Sequence, residues 1–185
     1  MSCGFPIDGT QIAIAGEQSE HLPERRVGEV ILRSNCMLSG YYRREDATAQ
    51  AIHDGWYYTG DIGYIADGQL YISGRKKDMI IVGGKNVFPQ DLEALANTTP
   101  GLYPGRSVAF GLMDESMGSE VIVMVCELED EHAGPEERAR IERDLRQRVV
   151  AQTEVALADV LLVGQRWLIK TSSGKIARGD NREKY

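Results

Sequence analysis

Cysteine and histidine are scarce in this sequence, and the few present are scattered. Cys3, Cys36 and Cys126 include no C-x-x-C pair, and the three histidines are equally dispersed. An odd number of widely spaced cysteines suits neither a disulfide framework nor a structural zinc site. We therefore predict free thiols, no metal site among these residues and a reducing, cytoplasmic location.

Long apolar runs and an excess of positive charge are also missing. The longest apolar run, residues 121–126, is far shorter than the roughly 18 residues of a membrane-spanning helix. The start of the chain lacks the charged and apolar regions of a secretory signal. The net charge of −7 disfavours general binding to nucleic acid or to an anionic membrane. We predict no membrane span and no nucleic-acid partner.

The composition is that of a folded protein, and the chain divides into two parts by pattern. Its 185 residues are 42% hydrophobic and 26% charged, which suits one medium domain or two small ones. Residues 1–75 read as short strands, with a hairpin signal at Asp67-Gly68 and one or two helical turns in REDATAQAI. This part lacks a convincing start of its own, so we expect it to be the incomplete end of a larger β-rich domain.

Residues 76–185 predict a small α+β domain with an antiparallel sheet and flanking helices. A hairpin turning at Gly83-Gly84 precedes a short helix that begins at Pro89, and two β-rich runs follow. A longer helix begins at Pro135, with Ile141 as the first of three apolar residues on one face, and one more strand follows it. The predicted order is β-β-α-β-β-α-β.

Two polar clusters in the middle of the chain are candidates for a binding site. In YYTGD, a Thr-Gly-Asp turn places the Asp61 carboxylate at a strand edge, where it can accept hydrogen bonds from a vicinal diol such as a ribose. The alternative is that Asp61 only satisfies the amides of its own turn. In GRKKD, Arg75, Lys76 and Lys77 could bind ribose or phosphate oxygens, or could form a solvated basic linker.

The third cluster is the segment IKTSSGKIAR, which places Lys175 behind a small, polar loop. It is not a phosphate-binding P-loop, because Ile169 and Ile176 occupy positions where that motif needs glycine and Ser or Thr. A mobile loop could deliver the lysine to an anionic site, with Ile176 as an anchor behind it. The alternative is a frayed basic tail.

The order and spacing of these clusters resemble the C-terminal third of the adenylate-forming (ANL) superfamily, the AMP-dependent synthetases and ligases. The matching segments are DGWYYTGD, DGQLYISGRKKD, GG followed by PQDLE, and KTSSGKIAR. CGFPIDGTQIAI and GEVILRSNCMLSGYYRREDAT resemble the stretches before the Thr-Gly-Asp turn. The superfamily includes acyl-CoA synthetases, fatty-acyl-AMP ligases, peptide-synthetase adenylation domains and firefly luciferase. The resemblance covers nearly the whole chain.

The resemblance implies a role for five residues before the tail. Asp61 matches the aspartate that holds the ribose hydroxyls, and Arg75 matches an arginine that also reaches the ribose. Ile72 stands where an apolar side chain packs beside the nucleotide. Lys77 matches the hinge about which a small, mobile C-terminal domain rotates between two half-reactions. Gly84 matches the glycine that lines the thiol tunnel in the second orientation.

The resemblance also implies an activity and a catalytic residue. Lys175 matches the lysine that bridges the substrate carboxylate and the α-phosphate of ATP. The expected substrates are ATP with Mg²⁺ and a carboxylic acid, here a fatty acid. The expected acceptor is the thiol of CoA or the phosphopantetheine of an acyl carrier protein. FPQDLE resembles the fatty-acyl-AMP ligase branch, which uses carrier proteins.

The sequence also departs from the family, chiefly by what it does not contain. The family often has proline where Ile169 stands and lysine where Ile81 stands, although neither position is catalytic. The family's phosphate loop, metal-binding glutamate and acyl pocket lie upstream of these residues. We therefore expect a C-terminal fragment that cannot adenylate anything alone. The alternative is a stand-alone module that binds a carrier protein or another partner without catalysis.

Overall fold

The chain forms two compact units. A computed structural model describes residues 2–185, and the units are Met1–Lys77 and Asp78–Tyr185. The division falls two residues after the boundary of 75/76 predicted from the sequence. The interpretation of the first unit as the end of a larger domain, and of the second as a mobile domain, stays a prediction.

The first unit is built on one antiparallel sheet. Its elements in chain order are β1 (Ser2–Gly4), β2 (Thr10–Ala15), β3 (Gly28–Ser34), α1 (Glu45–Ala51), β4 (Ile52–His53), β5 (Trp56–Ala66) and β6 (Gln69–Arg75). The strand order is β1-β6-β5-β3-β2, with β4 also paired to β5. A 3-10 helix, Lys76–Asp78, follows β6. The predicted strands and the helical segment are therefore present.

The hairpin of β5 and β6 turns at the predicted place. Asp67 and Gly68 have φ angles of 51° and 73°, which a two-residue turn of the kind favoured between twisted strands requires. The amides of both residues donate to the Glu24 carboxylate. This hairpin fixes the register that sets Asp61 opposite Arg75.

The second unit combines strands and helices as predicted, with one addition. Its elements are β7 (Ile80–Val82), β8 (Lys85–Val87), α2 (Pro89–Ala96), β9 (Leu102–Asp114), β10 (Ser119–Leu128), α3 (Pro135–Thr153), β11 (Leu157–Val163) and α4 (Arg178–Lys184). The last helix, α4, was not predicted. The strand order is β11-β10-β9, with β9 antiparallel and β11 parallel to β10, and β7 and β8 pair separately.

Helix α3 begins and packs as its sequence predicts. Pro135 occupies the first turn together with acidic residues, which interact favourably with the helix dipole. Ile141, Leu145 and Val149 are buried on one face, as their spacing predicts. They join a core cluster that includes residues of α2 and alternate residues of β10, such as Ile122 and Met124.

The opposite face of the β9–β10–β11 sheet is also buried. Val108, Phe110, Val123 and Val125 form a second cluster there. Trp167, Leu168 and Ile176, all after β11, pack into or against it. The continuous apolar run of β10 is explained by this burial on both faces. The end of the chain is therefore an integral layer of the unit, and the interpretation as a frayed tail is wrong.

The helices do not have the character of membrane spans. Within residues 2–185, no helix combines the length and the low charge needed to cross a bilayer. The longest, α3, carries acidic and basic residues along its length.

The three thiols differ sharply in their surroundings. Cys3 and Cys36 are exposed, whereas Cys126 is buried in the first core cluster. Burial raises the pKa of the Cys126 thiol to about 12, so its reactive thiolate form is suppressed.

We expect alkylation of the native protein with iodoacetamide to modify Cys3 and Cys36 while Cys126 stays unmodified. Peptide mass spectrometry after a timed reaction measures this directly. Alkylation in denaturant is the control, because all three thiols should then react. Equal modification of Cys126 in the native protein would contradict the packing of β10.

Candidate functional site

The first unit brings two predicted nucleotide-binding residues together. Asp61 on β5 lies opposite Arg75 on β6, and Arg75 Nε is 2.9 Å from Asp61 Oδ1. Both side chains remain partly accessible, at 30% for Asp61 and 54% for Arg75. Because the pair is open to solvent, its oxygens and guanidinium donors can also reach a ligand.

The Thr-Gly-Asp turn does not use the Asp61 carboxylate to satisfy its own amides. Thr59 Oγ1 accepts a hydrogen bond from the Asp61 amide at 3.0 Å and donates to the Val30 carbonyl at 2.8 Å. Gly60 has a φ of 72°, a conformation that favours glycine. The hydroxyl of Thr59 therefore performs the local capping role, and the carboxylate is held by Arg75 instead.

Glu29 is a residue of this site that the sequence reasoning missed. Its Oε1 accepts the Gly60 amide at 3.1 Å, and its Oε2 lies 2.7 Å from Lys76 Nζ. The Glu29 side chain is only 11% exposed. It thus ties the Thr-Gly-Asp turn to the residue that follows β6. The only signal in the sequence is an acid at the start of a strand, which is uninformative without the strand pairing.

A cleft of about 360 Å³ lies beside this ion pair. Its lining residues are Thr59, Gly60, Arg75, Lys76 and Lys77. Three of these five are basic, so the cleft suits an anionic or polyhydroxylated ligand. A small ligand can also approach the main chain closely at Gly60, where a Cβ would meet nothing within 4 Å.

Ile72 lies on the same strand as Arg75 but has a different setting. It pairs with Gly63 across the hairpin, and a register shift separates that pair from the Asp61–Arg75 end of the ladder. Its exposed fraction is 38%, and it is not among the residues that line the cleft. The structure therefore leaves Ile72 as an exposed apolar position near the site, and its contact with a nucleotide stays a prediction.

The hydroxyl of Tyr57, two residues before the turn, is hydrogen-bonded to a second tyrosine. Its hydroxyl lies 3.1 Å from that of Tyr41. This hydrogen bond, together with burial, raises the pKa of Tyr57 above the ordinary value of a phenol. Tyr57 is thus a neutral hydrogen-bonding group at neutral pH.

In the second unit, Lys175 lies on a closed turn. Lys170 and Ile176 form a bridge at its base, the Thr171 amide donates to the Lys175 carbonyl at 2.7 Å, and the Gly174 amide donates to the Thr171 carbonyl at 2.9 Å. Gly174 has a φ of 82°. Lys175 is exposed while its neighbour Ile176 packs against the core. The lysine is therefore presented to solvent from a turn with a buried anchor.

Arg178, three residues after Lys175, fastens this segment to the sheet. Its Nη1 donates to Glu93 on α2 and to the Ala109 carbonyl on β9, and Glu93 also accepts the Ala109 amide at 3.0 Å. Arg178 Nε lies 3.7 Å from Asp78 Oδ2. Since β9 is an edge strand, the Glu93–Arg178 pair takes the place of a neighbouring strand at this point.

Gly84 lies on a turn separate from that of Lys175. Gly83 and Gly84, between β7 and β8, have φ angles of 56° and 80°, so the turn alone accounts for both glycines. A Cβ at Gly84 would meet nothing within 4 Å, which leaves open space at this position. The predicted role in a thiol tunnel stays a prediction.

Metal-binding side chains do not cluster in the described part of the chain. Among residues 2–185, no three His, Cys, Asp or Glu side chains converge so that they could hold an ion.

Comparison with curated proteins finds relatives that are ligases. No protein-family model matches the chain. Over 179 residues the chain is 36% identical to "Acyl-CoA ligase clz12" of Cochliobolus lunatus, covering 96% of this chain and 49% of that protein. Over an alignment of 195 positions it is 31% identical to "Medium-chain-fatty-acid--[acyl-carrier-protein] ligase JamA" of Moorena producens, covering 100% of this chain and 33% of that protein.

Solved structures of the same class share the fold. "Structure of McyG A-PCP complexed with phenylalanyl-adenylate" matches 99% of this chain and 28% of that one, with a TM-score of 0.85 and 30% identity. "Structural and Functional Studies of Fatty Acyl-Adenylate Ligases from E. coli and L. pneumophila" matches 100% of this chain and 32% of that one, with a TM-score of 0.82 and 31% identity.

The chain therefore belongs to the adenylate-forming superfamily, and it corresponds to the C-terminal portion of its members. The family resemblance and the α+β fold class inferred from the sequence are confirmed. The chain spans between 24% and 49% of the length of the curated relatives it matches.

The ties of Glu29 predict how the Thr-Gly-Asp turn responds to substitution. We expect Glu29→Ala to accelerate hydrogen exchange at the Gly60 amide, because that amide loses its acceptor. Lys76→Met is the matched control: it removes the ion pair but leaves Glu29 to accept the amide, so exchange at Gly60 should change little. Nuclear magnetic resonance of the native chain measures both. Equal acceleration in the two variants would contradict this assignment.

Proposed function

We propose that this chain supplies the ribose site and the catalytic lysine of an ATP-dependent acid–thiol ligase. Such an enzyme converts a carboxylic acid and ATP to acyl-AMP and pyrophosphate, then transfers the acyl group to a thiol. The observation that carries the proposal is the pairing of Asp61 with Arg75 beside a basic cleft. It supports recognition of a nucleotide by the residues that the family resemblance singles out.

The chemistry of this pair suits a ribose. Arg75 Nε holds one oxygen of the Asp61 carboxylate, and a carboxylate has further lone pairs that can accept the two ribose hydroxyls. Arg75 has other donors in its planar fork for ribose or phosphate oxygens. Ile72 is proposed to pack beside the nucleotide.

Lys175 is the proposed catalytic residue of adenylation. A carboxylate oxygen of the acid attacks the α-phosphorus of ATP, the bond from that phosphorus to pyrophosphate breaks, and negative charge builds on the transferring group. A positive group between the carboxylate and the α-phosphate stabilises this transition state more than the ground state. Lys175 is exposed on an anchored turn, which supports such a role.

Thiol transfer is proposed to use a second orientation of the Asp78–Tyr185 unit. The division between the units falls directly after Lys77, which supports Lys77 as the hinge. Gly84, whose surroundings are open, would then line the path of the thiol. Withdrawal of Lys175 with its unit would free the acyl-adenylate for attack.

The magnesium ion that accompanies ATP is proposed to bind to the upstream portion of the enzyme, where the family resemblance places its glutamate ligand.

The proposed acid is a fatty acid, and the acceptor is CoA or an acyl carrier protein. The name of the Moorena relative specifies a medium-chain fatty acid and an acyl carrier protein, and the Cochliobolus relative is called an acyl-CoA ligase. FPQDLE in this chain resembles the branch that uses carrier proteins. These three observations support the class of acid and leave both thiols as candidates.

A stand-alone binding module is the second candidate function. It is favoured by the completeness of the second unit, which buries both faces of its sheet without help from the first. Such a module would bind a carrier protein and catalyse nothing.

We expect the purified 185-residue chain to release no pyrophosphate from ATP with any fatty acid, because most of the proposed active site lies outside it. A coupled pyrophosphate assay with octanoate and hexadecanoate, run beside a complete acyl-CoA ligase, tests this. Steady release above the background of a Lys175→Ala variant would contradict the proposal.

Fusion to a complete upstream portion should restore activity. We expect the full chain, joined to the upstream portion of JamA, to form acyl-AMP, and Lys175→Ala to lower that rate by about 10²–10³-fold, because one electrostatic contact is lost. Pyrophosphate exchange measures the step. Lys170→Ala, which removes the same charge from the other arm of the turn, should change it little.

The same fusion separates the two candidate functions. Activity that depends on Lys175 but not on Lys170 supports the ligase. An inactive, folded fusion together with tight binding of a carrier protein by the chain would favour the module.

A further inference from the structure

A completely buried amide side chain lies near the end of the chain. Asn181, on α4, has an exposed fraction of 0%. Its Oδ1 accepts the Ile169 amide at 2.9 Å, and its Nδ2 donates to the carbonyls of Ile169 at 2.9 Å and Ala177 at 2.8 Å. Polar side chains that are buried to this extent are nearly always hydrogen-bonded. The three partners of Asn181 are all main-chain groups of one segment.

The partners of Asn181 lie on both sides of the Lys175 turn. Ile169 precedes the turn and Ala177 follows it, and the Ala177 amide donates to the Ile169 carbonyl at 3.0 Å. Asn181 therefore bonds to both arms where they come together. It closes the base of the turn and joins that base to α4.

The segment that enters the turn depends on side chains for its hydrogen bonds. Residues 164–169 lie outside every strand, so their amides need other acceptors. The Leu168 amide donates to Glu127 Oε1 at 2.9 Å, and Glu127 is 1% exposed. Two successive amides are thus held by buried side chains, one from β10 and one from α4.

The Ile169 amide and the Asn181 side chain satisfy each other. Ile169 lies outside every strand, so its amide has no strand partner, and Asn181 Oδ1 supplies the acceptor. A proline at this position would have no amide hydrogen to donate.

We propose that Asn181 is a positioning residue for Lys175. By fixing the base of the turn, it sets the place from which the ammonium group reaches the reacting groups, without touching them itself. A misplacement of about 1 Å can cost about 10²-fold in rate. This inference rests on the proposed function of Lys175 as the adenylation lysine.

The test uses the full chain fused to the upstream portion of JamA and compares the two half-reactions. We expect Asn181→Leu, which keeps the shape but removes the hydrogen bonds, to lower kcat of adenylation by about 10- to 10²-fold. The KM for ATP should change little, because Asp61 and Arg75 are untouched. Transfer from preformed acyl-AMP to the thiol should also keep its rate. Glu183→Leu, an exposed position on the same helix, is the control.

A second variant approaches the same hydrogen bond from the other side. Ile169→Pro alone should lower kcat of adenylation, because it leaves Asn181 Oδ1 buried without its donor. In the Asn181→Leu background the same change should raise kcat, because it removes an amide that has lost its acceptor. This reversal of sign is the signature of a direct pairing between the two residues.

Hydrogen exchange gives a readout in the 185-residue chain itself. The Ile169 amide should exchange faster in Asn181→Leu than in the wild type, whereas the Thr171 amide, which donates to the Lys175 carbonyl, should change less.

The outcomes separate this inference from the function on which it rests. If Lys175→Ala keeps full adenylation activity, the proposed function is wrong. If Lys175→Ala is impaired while Asn181→Leu adenylates at the wild-type rate, the positioning role is wrong. Equal loss of both half-reactions in Asn181→Leu, in step with a lower melting temperature, would also overturn it, because Asn181 would then only stabilise the unit.

Discussion

The sheet of the second unit must bury both of its faces, and this requirement determines the course of the last residues. Side chains of β10 alternate between two cores, with Ile122 and Met124 on one side and Val123 and Val125 on the other. Helices α2 and α3 pack on the first side. The segment after β11 covers the second, and burial of that apolar surface stabilises the sheet and the segment together.

The packing of this segment fixes the main chain that carries the flexible side chain of Lys175. A lysine has a long, mobile stem, and its ammonium group acts at a defined place only when its main chain is fixed. Ile176 is packed against the core while the adjacent Lys175 is exposed. One residue thus anchors the turn and the next carries the charge, and hydrogen bonds at the base of the turn complete the arrangement.

The sequence predicted elements whose patterns are local and missed those that depend on distant partners. Helix α3 was predictable because its proline, its acidic first turn and its apolar stripe all agree. Helix α4, with the sequence RGDNREK, has no apolar stripe, and its one buried residue is an asparagine that is satisfied by main-chain groups. The parallel pairing of β11 with β10 likewise requires the crossover through α3, which periodicity alone does not reveal.

The candidate site likewise contains residues that a local motif predicts and residues that depend on distant partners. The Thr-Gly-Asp turn and Arg75 could be chosen from their motifs, but their meeting across β5 and β6 depends on the register of a hairpin. Glu29 was not predicted, because its contacts are a hydrogen bond from the Gly60 amide and an ion pair with Lys76, and both partners lie far away in the sequence. Residues that hold other residues in place carry no motif, so they become visible only in three dimensions.

The contact of Arg178 and Glu93 with Ala109 has a consequence for association between copies of the chain. The amide and carbonyl of Ala109 on the edge strand β9 are both occupied by side chains. An unoccupied strand edge is a template for a foreign strand. Proteolytic loss of the last eight residues would remove Arg178 along with α4, and it would free the carbonyl of Ala109 on this edge. The Glu93–Arg178 pair thereby blocks the pairing of a second strand with β9 at Ala109.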